Sequence, residues 1–325
     1  MAMKRDECRP TISVIVPSFN KPEYLPECLR SIQEQTFTDW ECIVVSDGSP
    51  RVEEIRAAVE GMKDPRFRLV EHKENRGLAA ARNTGIREAK AELVICVDED
   101  DRIAPNCLVT LHQQMNDGDA EVVCPQGRFF GGARGVRGCH RPTVEEILTG
   151  QPLLPAGSLI RRGVFRKVGL YDEHPMIHKG REDHEWWIRV ISGEVRLRVC
   201  DEELYFVRRP DTVADYEESL DFGATKHEFS IYRYITGKHA GLYSQYPDAR
   251  RAVLRKALLR EAARLEWEGR RIQKLVRLWR AVMLFREARD AKRAMRETLD
   301  LILGRVRVEQ ILAWRRRLNG DPGLG

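Results

Sequence analysis

No stretch of the 325 residues comes near the roughly 18 uninterrupted apolar positions that a bilayer-crossing helix needs. The opening MAMKRDECRP is charged and has no apolar run of the secretory kind, so the expected location is the cytoplasm. Cysteine occurs at Cys8, Cys28, Cys42, Cys96, Cys107, Cys124, Cys139 and Cys200, but never as CxxC and never at a zinc-like spacing with histidine. Several of these lie inside apolar runs, Cys42 in ECIVV and Cys96 in LVICV, which is how a reducing compartment uses a small buried hydrophobe. There is no internal repeat and no low-complexity linker. The first apolar run leads into PSFNKPEY, not into a G-x-G-x-x-G turn or a Gly-rich basic loop. That argues against a dinucleotide-dependent dehydrogenase and against a nucleotidyltransferase. Nor is there a Ser/His/Asp or Cys/His arrangement, so nothing points to a covalent enzyme nucleophile.

What is present is an ordinary globular composition with an uneven distribution of charge. Hydrophobic residues make up 42%, enough for a sizeable core, and the length suits one large domain with an appendage. From Arg250 onward 21 Lys and Arg stand against 9 Asp and Glu, a net +12. The whole chain carries +5, so the part before Arg250 carries −7. The basic part reads as helix, with apolar stripes at Leu258, Leu259, Ala262 and Leu265, and again at Leu275, Val276, Leu278 and Val282. Two readings stand for it. Its helices pack on the body or on a second copy in a homo-oligomer, or they form a basic amphipathic surface held peripherally at the inner face of an anionic membrane. Nucleic acid is not an expected partner, because no reader motif is present and an acidic body repels a polyanion.

The first hundred residues alternate between strand and helix signals. TISVIVPSF (11–19), ECIVVSDGS (41–49), FRLVEH and AELVICVDEDD (91–101) read as strands. ECLRSIQEQT, VEEIRAAVEGM and GLAAARNTGIREAK read as the helices between them. Continuously apolar strands separated by helices imply a parallel sheet covered on both faces, and such sheets bind ligands at their carboxyl edge. Asn20, Asp47 and the acidic run Asp98 to Asp101 fall just past strand ends. The middle is less regular, Gly-rich around Gly127 to Gly138, with GREDHEWWIRVI as a helix; from about residue 226 the chain reads as helix.

Three segments carry chemistry. In the first, strands end in Pro17-Ser18-Phe19-Asn20 and Asp47-Gly48-Ser49; a carboxylate there can accept hydrogen bonds from a base edge or ribose hydroxyls, although Asp-Gly-Ser is also a common turn. In the second, Asp98 and Asp100 flank Glu99 as D-x-D. Clustered carboxylates raise one another's proton affinity unless a cation neutralises them, and a hard divalent metal shared with diphosphate oxygens does so; the alternative is a solvated acidic turn. In the third, Glu182-Asp183 opens a helix bearing Trp186 and Trp187. A carboxylate there can take a proton from an attacking hydroxyl, and an aromatic face can pack on a sugar ring, unless the pair simply caps a helix with core tryptophans.

In this order and spacing the segments resemble glycosyltransferase family 2, over about residues 10–215 and including AGSLIRRGVFRKVGLYDEH (156–174). The resemblance implies an α/β GT-A fold: a Rossmann-like, mixed, mostly parallel sheet flanked by helices, followed by an all-helical C-terminal extension. On it, 1–105 is the donor-binding half of the GT-A domain, 106–225 the acceptor-binding half, and 226–325 the basic helical region. It also implies an inverting transfer of sugar from a nucleotide-diphosphate donor, uridine diphosphate first, to a hydroxyl of a glycan or lipid-linked glycan. Carried over residue by residue, Pro17, Phe19, Asn20, Asp47, Arg82, Asn83, Asp98 and Glu99 line the donor pocket. Asp100 binds Mn²⁺ or Mg²⁺, Asp183 is the general base, Glu182 and Trp186 face the acceptor, and Arg208 faces the diphosphate. One departure stands out: LYFVRRPDTVAD lacks the histidine many members carry after the arginine, so the metal has fewer protein ligands or an arginine takes over part of the diphosphate charge. The alternative is a non-catalytic nucleotide-sugar-binding module, against which the retention of Asp100 and Asp183 speaks.

Overall fold

Ile12–Ser18 (β1) and Trp40–Ser46 (β2) are strands in which every residue is buried, as runs such as ISVIVPS require when helices cover both faces of a sheet. They belong to a computed structural model that describes residues 9–150, 154–209 and 226–267, together with Arg277. The chain divides into two compact units, Met1–Gly223 and Ala224–Gly325.

In the first unit, β1, α1 (Leu25–Gln33), β2, α2 (Val52–Gly61), β3 (Phe67–Glu71), α3 (Leu78–Glu88) and β4 (Leu93–Cys96) alternate. β1 lies between β2 and β4, β3 lies outside β2, and all these pairings are parallel. α3 packs on β1 through Gly85, where a Cβ would run into the Ile15 side chain. The chain continues through β5 (Arg102–Ile103), α4 (Cys107–Asn116), β6 (Val122–Gly131), β7 (Gly135–Arg137), α5 (Val144–Leu148), β8 (Leu159–Arg161), α6 (Arg162–Val168), a 3₁₀ turn (Ile177–Lys179), α7 (Glu182–Ser192) and β9 (Leu197–Arg209). One sheet collects all the strands, in the order β3-β2-β1-β4-β8-β6-β9-β5 with β7 paired on β6. β8 runs antiparallel to both neighbours, β4 and β6, so the direction changes beside the carboxyl end of β4. The sheet is therefore mixed, with helices about it, as the GT-A expectation has it.

The second unit is helical where described: α8 (Glu228–Lys238), α9 (Ala240–Gln245) and α10 (Pro247–Trp267). Ile231, Tyr232 and Ile235 of α8 and Val253, Ala257, Leu258 and Ala262 of α10 are buried. Glu228, with 0% exposure, is paired with Arg260 at 2.6 Å. The later stripe, Leu275, Val276, Leu278 and Val282, lies outside the described residues. Among those described, no helix is long and apolar enough to cross a membrane.

Candidate functional site

β4 delivers the acidic run to the carboxyl edge, and each carboxylate has a different neighbour. Asp98, half-buried, accepts from Arg82 Nη2 at 2.7 Å, and its backbone N–H donates to the Tyr205 hydroxyl at 3.2 Å. Glu99 turns toward β1: Ser18 Oγ donates to it at 2.5 Å and the Phe19 N–H at 3.2 Å. Burial raises its proton affinity, opposed by those two donors. Glu99 thus pins the end of β1, where Phe19 is 38% exposed and Asn20 is exposed, while Pro17 is a buried strand residue opposite Val45. Asp100 is likewise half-buried and forms an ion pair with Lys21 at 2.6 Å. Asp101 is buried and accepts the Arg208 N–H at 2.8 Å; burial and then the charges of Asp100 and Asp98 push its pKa well up. Arg208 also donates from Nε to the Asp100 carbonyl at 2.9 Å and pairs with Glu27. Its guanidinium lies 4.4 Å from the ring centres of Tyr24 and Phe130.

Asp47, at the end of β2, has only 3% exposure, and its carboxylate is already engaged. It accepts the backbone N–H of Arg76 at 3.0 Å and of Gly77 at 2.7 Å, and lies 2.7 Å from His72 Nδ1. These contacts hold the loop entering α3. Gly77 has φ +87° and faces the His178 ring, so a side chain there is excluded twice over. Asn83, in α3, gives its amide to the Tyr171 carbonyl and to Glu173, both at 2.8 Å, and accepts the Tyr171 N–H at 2.9 Å. It therefore ties α3 to the segment ahead of α7.

α7 begins after Arg181, a non-glycine residue at φ +74°, a strained conformation of the kind found where a side chain must be aimed. Glu182 is buried and receives Arg82 Nη1 at 2.7 Å. Burial, then the adjacent charge of Asp183, pushes its pKa up to about 7, while Arg82 holds it down. Asp183 is half-buried and accepts the His184 N–H at 2.7 Å. One buried guanidinium, Arg82, thus reaches Asp98 with one nitrogen and Glu182 with the other, bringing the acidic turn and the start of α7 together.

Trp186, expected to face the acceptor, is instead core: it has 0% exposure, donates to the Gly169 carbonyl at 3.0 Å, and packs against Phe165, Tyr171 and Trp187. The helical period puts residue 186 on the inward face of α7, which a first reading of two adjacent tryptophans does not decide. Lys21 and Tyr205 also touch the acidic turn; Lys21 stands inside the PSFNK stretch, and nothing in spacing marks either residue.

Among the described residues, no group of three or more His, Cys, Asp or Glu side chains is arranged to hold a metal ion. What the turn offers is Asp98 and Asp100, two hard oxygen donors at the sheet edge, with Lys21 on the second. That donor set fits Mg²⁺ or Mn²⁺ drawing its other oxygens from a bound diphosphate and water, which is how such ions are ordinarily held.

Comparison with known proteins accords with this geometry. Residues 13–169 match glycosyl transferase family 2. The chain is similar to glycosyltransferase GlyG of Streptococcus pneumoniae, 33% identical over 193 residues, which are 52% of this chain and 64% of that protein. It therefore spans a little under two thirds of that curated relative. Two solved structures share the fold. One is Staphylococcus aureus TarS 1–349 in complex with UDP-GlcNAc, with a TM-score of 0.61 at 18% identity, covering 84% of this chain and 81% of that one. The other is the mannosyltransferase PcManGT of Pyrobaculum calidifontis with GDP-Man and Mn²⁺, with a TM-score of 0.58 at 17% identity, covering 97% and 89%.

Proposed function

Since this chain belongs to glycosyl transferase family 2 through residues 13–169, we propose that it is an inverting glycosyltransferase. It moves a hexosyl or N-acetylhexosaminyl group from a nucleoside-diphosphate donor, uridine first, onto a hydroxyl of a glycan or lipid-linked glycan. The observation that carries the reading is the Arg82 bridge, because a transfer site needs donor-side and acceptor-side carboxylates within one sugar's reach of each other. UDP-GlcNAc and GDP-Man in the two structural relatives support a nucleotide-sugar donor.

In this reading the exposed Phe19 ring offers a stacking face for the base, and Glu99 fixes the backbone that presents it. Asp47 and Asn83 act by shaping the walls of the donor pocket, holding the Arg76–Gly77 loop and the Tyr171 segment. Asp98 and Asp100 would hold Mn²⁺ or Mg²⁺. When bound, the cation supplies positive charge that offsets the negative charge developing on the departing diphosphate. Arg208 places its guanidinium beside Asp100 and Asp101 and adds to that positive field. Asp183 takes the proton of the acceptor hydroxyl as that oxygen attacks the anomeric carbon in line with the leaving group. Glu182, held on Arg82, sets the position of that helical turn and shapes the acceptor side. A single displacement inverts the anomeric centre and needs no enzyme nucleophile.

A donor screen tests the reading: the full chain, Mn²⁺ and a panel of nucleotide sugars, with donor hydrolysis and transfer as readouts. Tight nucleotide binding with no turnover on any donor would leave a binding module. The basic region from Arg250 is proposed to meet a membrane or a second copy, and vesicle sedimentation together with sizing of the chain separates the two.

A further inference from the structure

β6 and β7 form a ribbon with no part in the chemistry above. From Gly127 to Thr143 the chain carries Arg128, Arg134, Arg137 and Arg141 and not one acidic residue. Arg128, Arg134 and Arg141 are exposed and Arg137 is half-buried. Arg128 is paired with Glu203; among the described residues no carboxylate pairs with Arg134, Arg137 or Arg141. The reversal between the strands passes through Gly131 at φ +81° and Gly135 at φ +141°, which keeps it slim.

Val136 stands in this ribbon with 56% of its surface exposed; among the described residues, only Phe19 is a comparably exposed large hydrophobe. Val136 pairs with Arg128 across the antiparallel ladder, so the two side chains share a face. Acidic residues in the neighbouring strand lie at the root: Glu203 pairs with Gln126, while the end of β6, Gly131, meets Arg209. The turn end is stiffened by stacking, with Arg209 4.3 Å over Phe129 and both Arg208 and Arg102 4.4 Å over Phe130. Arg208 also binds the acidic turn, so the turn end of the ribbon lies at the rim of the candidate site.

We propose that this ribbon docks the chain on an anionic bilayer surface. The guanidiniums of Arg134, Arg137 and Arg141 take lipid phosphate oxygens, and Val136 enters the boundary with the acyl chains. Guanidinium forks match phosphate geometry, and several of them close together without acids repel one another until an anionic surface relieves the repulsion. A soluble polyanion would engage the arginines and gain nothing from Val136; a bilayer interface uses both. The position of the ribbon's turn end beside Asp100 and Asp101 then places the site's mouth at the lipid surface. A lipid-linked acceptor, if the transferase reading above holds, would arrive there.

The test is sedimentation of the full chain with phosphatidylcholine vesicles and with vesicles in which about a third of the lipid is phosphatidylglycerol, at low and moderate salt. The wild-type chain is expected to partition only onto the anionic vesicles. Arg134→Ser/Arg137→Ser should lower that partition by about 10- to 30-fold, at roughly fivefold per arginine. Val136→Ser, which leaves the charge alone, should lower it by about three- to tenfold. Arg56→Ser/Lys63→Ser removes the same charge beside β3, at the opposite edge of the sheet, and should change partition by no more than about twofold. All these side chains reach the surface, and unchanged melting temperatures confirm the fold of each variant. Wild-type partition by the double arginine variant, or an equal loss in the control, rejects the ribbon as the docking element. An unaffected Val136→Ser variant, with full competition by soluble polyphosphate, makes it a polyanion site and rejects the bilayer.

Discussion

Glu182 and Asp183 are adjacent in one helical turn, yet the fold gives them opposite surroundings. Glu182 is buried on Arg82, and Asp183 reaches partial exposure with, among the described residues, only a local N–H on its carboxylate. Asp183→Asn keeps the size and the local hydrogen bond but cannot accept a proton, so kcat should fall on the order of 10²–10⁴-fold with nucleotide affinity nearly unchanged. Lost nucleotide binding with kcat preserved would assign Asp183 to the donor site instead. Glu182 makes a separate prediction about stability. Its pKa is raised from 4.5 to about 7, so across that window the folded chain holds more of its proton than the unfolded chain does. Its contribution therefore favours folding below about 4.5 and is lost as pH rises toward 7. Glu182→Gln should remove a decline on the order of 1–3 kcal/mol between those limits, read from denaturant midpoints at pH 5 and pH 7.5. An unaltered slope would show that the decline has another origin.

At the scale of elements, the α3–β1 contact gives a prediction opposite to helix propensity. Gly→Ala inside a helix normally stabilises by about 1 kcal/mol. Gly85→Ala should instead destabilise by about 1–3 kcal/mol, because the new methyl meets Ile15 in a packed core. Urea midpoints with an unchanged m-value would measure it. The same elements show what a sequence discloses. β1 and β2 are continuously apolar, the helices between the first four strands are periodic, and each of these strands pairs in parallel with another of the four, so pattern alone finds them. β5 and β8 are two and three residues long and depend on partners distant in sequence, and no periodicity exists at that length. β9 runs for thirteen residues, yet its interior CDEE breaks the apolar alternation, so the sequence draws attention only to its arginines. The position of Asp98 and Asp100 at the sheet edge is legible because they follow a readable strand. What tertiary packing decides is not legible, as with Trp186 in the core and the backbone partners of Asp47 and Asn83.

For the whole molecule, donor and cation should act together. On the proposed reading Asp98 and Asp100 alone make a weak cation site, and a nucleoside diphosphate alone meets carboxylates that Arg82 and Lys21 neutralise only in part. Nucleotide with Mn²⁺ should therefore raise the melting temperature by more than the sum of either added singly, following ligand linkage to the folded state. Differential scanning fluorimetry reads it directly. Asp100→Ala should abolish the joint effect and the turnover while leaving the unliganded melting temperature within a few degrees; full activity in EDTA would sink the metal assignment.

The seven described cysteines, Cys28, Cys42, Cys96, Cys107, Cys124, Cys139 and Cys200, are all free and buried, and burial raises each thiol's pKa. That makes each of them a clock. An alkylating reagent reacts with a thiolate, so a buried thiol is labelled only in the moments when its own element opens. They are spread over α1, β2, β4, α4, β6, β9 and the loop after β7, so labelling at each mass-resolved position would time the opening of a different part without any engineered probe. Cys28 Sγ lies 3.6 Å from the Asp98 carbonyl, and Cys96 ends the strand that leads into the same turn. Nucleotide with Mn²⁺ should therefore slow alkylation at Cys28 and Cys96 severalfold more than at Cys124, and equal slowing at all positions would mean that the ligand stiffens the unit as one body.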